Sequence, residues 1–208
     1  MSTQIINGPA GNLELLLDEP KHELENSANT PIAIICHPHP LYGGTMQNKV
    51  VHILAKACVE QGMPAIRFNF RGVGKSEGHF EHGLGEQQDC IAVATWARQQ
   101  YPNRPIWLAG FSFGSFVAYQ SFVEIKAERL LLVAPAVGLF QFQQMDDIKI
   151  PWCVIQGKED EITPPASVEE WVNNQTSPPQ FFYLDGVSHF FHGKLNLLRK
   201  LVLETWKH

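Results

Sequence analysis

The sequence predicts an α/β chain built on one mostly parallel sheet with helices on both faces, and three observations carry that expectation. Short β-branched or aromatic runs alternate with longer segments of helical period. The short runs are apolar at successive positions, as strands covered on both faces must be. Gly and Pro stand singly at segment ends, and no repeat, linker or low-complexity stretch divides the chain.

The elements follow in order. Residues 4–6 and 13–17 flank Gly8, Pro9, Gly11 and Asn12, a turn composition between apolar runs, and predict an antiparallel hairpin at a sheet edge. Strands are expected at 32–36, 65–70, 106–109, 130–134, 152–156 and 181–184, each rich in aliphatic or aromatic residues. Helices are expected at 48–61, 86–100, 113–124, 167–174 and 194–206. That makes about eight strands, with helices crossing over between the parallel ones. Between 130–134 and 152–156 there is no room for an inserted helical cap, so the site of such a fold is expected to be open.

Length and composition bound the rest. A chain of 208 residues with 44% hydrophobic and 18% charged residues is globular, and residues 1–208 are expected to form one domain. At that size folding hides about 70% of the unfolded chain's surface, enough for a substantial core. The net charge is −5, with no basic block to follow a phosphate backbone, so nucleic acid is not expected as a partner. Cys36, Cys58, Cys90 and Cys153 lie in apolar stretches without CxxC spacing and are read as reduced core residues. Residues 1–7 lack a basic cluster followed by an apolar stretch, and the longest apolar-rich run, 130–140, is broken by Pro135 and Gly138. A soluble cytoplasmic protein without membrane contact, monomer or homodimer, is the expectation.

The sharpest chemical signal is Gly110-Phe111-Ser112-Phe113-Gly114, placed between a strand and a helix. In a GxSxG elbow the serine sits on a tight turn, and the flanking glycines let strand and helix backbones approach without a side-chain clash. The N–H of Phe113, at the start of the helix, then faces the place where a carbonyl oxygen would gain charge during acyl transfer. The alternative, a Gly-rich turn with a bystander serine, is weakened by the strand before and the helix after. A serine hydroxyl needs a base, and the base an acid to orient it. Residues 157–164 supply Glu159, Asp160 and Glu161, and residues 186–192 supply His189 and His192, with Asp185 just before. Serine, acid, histidine is the hydrolase order, and each candidate follows the carboxyl end of a strand.

The chain resembles the compact, lidless α/β-hydrolases marked by HPHPxxGG and RFNFRGVGxSxG segments, which stand here at 37–44 and 67–78. The resemblance runs from about residue 32 to the last helix. It implies Ser112 as nucleophile, Asp160, three residues after Gly157, as acid, and His189, directly before two phenylalanines, as general base. A second oxyanion donor would come from the 37–44 loop, where Pro38 and Pro40 have no N–H. His39 and Leu41 remain, and the usual hydrolase loop favours His39. The implied activity is hydrolysis of a small ester-type acyl substrate through an acyl-enzyme. A serine peptidase or acyltransferase, or a non-catalytic binding protein on the same scaffold, are the alternatives. Leu41, Tyr42, Phe111 and Phe190 are expected at the substrate rim, with Phe113, Phe140 and Phe191 as further apolar candidates.

Two other readings, a metal site and a nucleotide loop, are less well supported. His37, His39, His79, His82 and Glu81 could converge on zinc, but no HExxH helix or cysteine pair supports that, and the HPHP loop is accounted for without it. No metal or cofactor is therefore expected. Gly72 to Gly78 contains Gly-Lys-Ser, but a phosphate loop needs glycine where Asn69 stands, and a dinucleotide fingerprint needs it where Glu77 stands. That segment is read as a turn whose backbone Arg71 and Ser76 fix.

Overall fold

In the computed structural model, which describes residues 2–21, 30–142 and 148–207, eight strands form one sheet in the order β1-β2-β4-β3-β5-β6-β7-β8. β1 (Ser2–Gly8) and β2 (Gly11–Asp18) are the edge hairpin, and β2 also pairs antiparallel with β4 (Ala65–Phe68). The remaining pairings, through β3 (Ile32–Cys36), β5 (Ile106–Phe111), β6 (Arg129–Val133), β7 (Trp152–Gly157) and β8 (Gln180–Leu184), are parallel.

The apolar character of the strands is explained by two cores. Along β3, Ile32, Ile34 and Cys36 pack on one face with α2 (Leu84–Gln100), α3 (Phe113–Ile125) and α4 (Pro165–Asn173). Ala33 and Ile35 pack on the other with α1 (Lys49–Glu60) and α5 (Leu195–Thr205). Each fully buried Ile or Leu contributes roughly 1.5–3 kcal/mol, so central strands apolar at every position hold both layers at once. All four cysteines are free and buried, with Cys36 Sγ 3.6 Å from Cys90 Sγ. Burial holds the Cys153 thiol up to about 12 and raises that of Cys36 well above its ordinary value, so both are protonated, unreactive packing groups at neutral pH.

Buried polar groups fasten the loops at the carboxyl ends of β3 and β4. Arg67, on β4, is fully buried and donates from Nε to Asp18 (2.7 Å) and from a terminal nitrogen to Met46 O (3.0 Å). Ser76 Oγ donates to Asn69 O (2.7 Å) and accepts from the Glu14 N–H (2.9 Å). Arg71 forks onto buried Asp89 and also pairs with Glu81. The segment after β4 is therefore a pinned turn. Between β6 and β7 the described residues contain no helix that could cover the strand ends. No described helix is long and apolar enough to cross a membrane.

Candidate active site

Ser112 stands between β5 and α3 with φ 55° and ψ −119°, a conformation that costs a non-glycine residue on the order of 1–3 kcal/mol. The surroundings hold it there. The Ser112 N–H donates to Val133 O (2.9 Å), continuing the β5–β6 ladder, and the Ser115 N–H donates to Ser112 O (2.9 Å). The Ser115 hydroxyl bridges Gly110 O (2.7 Å) and Val133 O (3.0 Å) beneath the turn. A Cβ on Gly110 would lie 2.1 Å from Gly114 O, and one on Gly114 would lie 2.2 Å from Cys36 O. Both glycines are thus steric necessities. Gly114→Ala is expected to destabilise the fold by about 3 kcal/mol, because β3 backbone must move to admit the methyl. Urea unfolding measures that loss.

The acid loop is built the same way. A Cβ on Gly157 would lie 2.1 Å from Val187 O, so glycine there lets the loops after β7 and β8 touch. Asp160 Oδ1 accepts from the backbone N–H groups of Ile162 (2.9 Å) and Thr163 (2.7 Å). Oδ2 accepts from Gln156 Nε2 (2.9 Å) and from His189 Nδ1 (2.8 Å). Burial alone would raise the Asp160 carboxyl, but the bond to His189, that group's charge and the Thr163 and Gln156 donors outweigh it, and the net shift is downward. An ionised carboxylate only accepts, so His189 Nδ1 carries the proton and Nε2 is left bare toward Ser112 Oγ, 3.0 Å away. Ser112, His189 and Asp160, separated by up to 77 positions in the chain, form one unbroken hydrogen-bonded chain.

The competing carboxylates are engaged elsewhere. Glu159 accepts from the Val187 N–H (2.8 Å), and Glu161 from the His189 N–H (3.1 Å), so both secure the histidine loop through its backbone. Asp185 pairs with Lys158 at the surface (2.8 Å), and His192 is exposed. Sequence reasoning missed these backbone roles, and it missed Gln156. A polar residue in an otherwise apolar strand was the signal available for the latter.

His37 is fully buried, accepting from the Phe70 N–H at Nε2 (3.1 Å) and donating from Nδ1 to Pro38 O (2.6 Å). Burial drives its pKa down to about 3, against the opposing Pro38 bond, so it is a neutral strut for the loop. The His39 ring accepts the Leu41 N–H at Nδ1 (3.2 Å), and Leu41 thereby loses its free donor. Among the described hydrogen bonds, neither the His39 N–H nor the Phe113 N–H has an acceptor. His79 and His82 are exposed, and among the described residues no three His, Cys, Asp or Glu side chains gather at metal-holding distance.

Ser112 and His189 open into a cavity of about 520 Å³ lined also by Pro38, His39, Tyr42, Gly43, Gly44, Asn48, Leu139, Glu161, Ile162 and Phe190. Tyr42 and Phe190, two of the expected rim residues, line this cavity. Two other expected rim residues do not: Leu41 is exposed but lies outside the lining, and Phe111 is fully buried. Phe111 is the last residue of β5, so its ring points into the core beneath the site and packs on His189 with centroids 5.2 Å apart. Phe113 and Phe191 are likewise buried, and Phe140 is half-buried against Phe113 and Phe116. Leu139 and Ile162 supply the apolar rim in their place.

Residues 41–144 match the family described as serine aminopeptidase, S33. The chain is 36% identical over 206 residues to an uncharacterized protein of Rickettsia prowazekii, covering 94% of this chain and 84% of that one. It is similar to the solved structure of an alpha-beta serine hydrolase homologue from Coxiella burnetii, at 43% identity and TM-score 0.92, covering 98% of this chain and 96% of that one. A Xanthomonas campestris protein described as an a/b serine hydrolase without lid aligns at 41% identity and TM-score 0.89, over 98% of this chain and 91% of that one. The chain belongs to the lidless α/β serine hydrolases.

Proposed function

We propose that the protein hydrolyses small ester-type acyl substrates through an acyl-enzyme on Ser112. His189 Nε2 takes the Ser112 proton as Oγ attacks the carbonyl, and Asp160 stabilises the resulting imidazolium. The carbonyl oxygen, now negative, is received by the N–H groups of Phe113 and His39, each such donor contributing about 10²–10³ in rate. His189 then returns its proton to the leaving oxygen, and water repeats the sequence on the acyl-enzyme. The observation that carries this reading is the continuous chain from Ser112 Oγ through His189 to Asp160 at the wall of one cavity.

Tyr42, Leu139, Ile162 and Phe190 favour an apolar acyl group, and the cavity of about 520 Å³ suits a short or medium one. A fluorophosphonate probe is expected to label Ser112, and p-nitrophenyl acetate to be hydrolysed. A graded series of p-nitrophenyl acyl esters then reads the chain-length preference, with aminoacyl p-nitroanilides as the amide arm. Turnover of the anilides in preference to the esters would replace the esterase reading with a peptidase one. Absence of probe labelling would leave a binding protein.

A further inference from the structure

β7 is buried along its whole length, and a glutamine near its end sits at odds with that setting. A buried amide must surrender water at both its polar ends, whereas an aliphatic side chain of the same length surrenders none. Gln156 is fully buried. Its Nε2 donates to Gly157 O (3.0 Å) and to Asp160 Oδ2 (2.9 Å). Both partners only accept, which fixes the amide's orientation. Oε1 is thereby left buried without a partner among the described residues. Flipping the amide would not relieve it, since Oε1 would then face two acceptors. An orphaned carbonyl is a standing cost to stability that the strand's own packing does not require.

The donor's destination supplies the reason. Asp160 is held at Oδ1 by two backbone N–H groups of its own turn, which leaves Oδ2 as the oxygen able to swing about the carboxylate axis. Oδ2 is also the oxygen that meets His189 Nδ1. We infer that Gln156 is a positioning residue, whose amide holds Asp160 Oδ2 where it accepts from His189. This inference rests on the Ser112–His189–Asp160 reading of the site. With Gln156 present all four acceptor directions of the carboxylate are filled, the geometry is locked, and its charge is stabilised.

Gln156→Met keeps the side chain's length and removes both amide ends. For this variant kcat on p-nitrophenyl acetate is expected to fall about 10- to 100-fold, the penalty of a slightly misplaced catalytic group. KM is expected to stay within about twofold, because the amide lies outside the cavity lining. The acid limb of kcat/KM, which reports protonation of the base His189, moves to higher pH, since an Asp160 carboxylate that no longer shares its charge with the Gln156 amide holds the imidazolium more strongly. Tm stays level or rises as the orphaned carbonyl departs. Gln156→Glu places a second carboxyl beside Asp160. The two then share one proton, and activity relative to wild type falls as pH rises and that proton is lost. Wild-type kcat in the Met variant overturns the inference. So does a loss that follows Tm with the acid limb unmoved, which would mark a packing role. Full turnover by Ser112→Ala would instead bring down the reading of the site itself, so the two failures are distinguishable.

Discussion

Ser112→Ala loses hydrolysis of p-nitrophenyl acetate by on the order of 10⁶ in kcat, the scale at which a serine nucleophile acts as one unit with its base. The substitution is clean because alanine keeps the Cβ that the elbow already accommodates at φ 55°. The backbone bonds from Ser112 N–H to Val133 and from Ser115 N–H to Ser112 O are untouched. Only the hydroxyl bond to His189 Nε2 disappears, so unfolding free energy shifts by no more than about 1 kcal/mol. A residual rate of about 10³–10⁴ above the uncatalysed reaction is expected, the share that the proposed Phe113 and His39 N–H donors and the cavity would retain. Mass spectrometry after fluorophosphonate treatment checks the assignment independently: wild type gains one adduct at Ser112, and the variant none. Labelling that survives at another residue would move the nucleophile elsewhere.

How much of this was legible in the letters depended on whether local pattern or distant contact decided each feature. Successive apolar positions in β3, β5 and β6 announced two-sided burial, and the strands formed as expected. Ends were decided from outside. The strand expected over 65–70 ends at Phe68: the Asn69 N–H still follows the β2 register onto Glu14 O, but the Phe70 N–H leaves the sheet for His37 Nε2. α2 starts two residues before its expected position because Glu86 reaches back to cap the Gly83 N–H. The triad candidates were readable from strand-end position and order, since topology brings strand ends together. The rim was not: Phe111 and Phe190 look alike in a string, but one ends a buried strand and the other follows the histidine on an exposed loop. For the proposed oxyanion donor the resemblance favoured His39 over Leu41, and the bond that supports this, from the Leu41 N–H to an imidazole two residues away, is a contact the string does not display.

Asp160→Asn separates the carboxylate's charge from its shape. The amide is isosteric, and Oδ1 can still accept from Ile162 and Thr163, but an –NH₂ now stands where Oδ2 accepted from both Gln156 and His189. A donor facing a donor is untenable, so His189 takes the other tautomer, with Nδ1 bare and the proton on Nε2. The base toward Ser112 is then gone, and kcat is expected to fall by on the order of 10⁴. KM changes little, because Asp160 is absent from the cavity lining. Stability supplies a second readout with a definite sign. Burial raises the Asp160 carboxyl, but the His189 bond and charge and the Thr163 and Gln156 donors lower it further, so the folded protein binds that proton less readily than the unfolded chain. The stabilisation is therefore complete above the unfolded pKa of about 4 and is lost as pH falls through the lower folded value. Asparagine has no such titration, so the wild-type advantage over Asp160→Asn in urea unfolding should narrow below about pH 4. An advantage that persists unchanged into that range would mean the carboxylate is not what the surrounding donors hold in place.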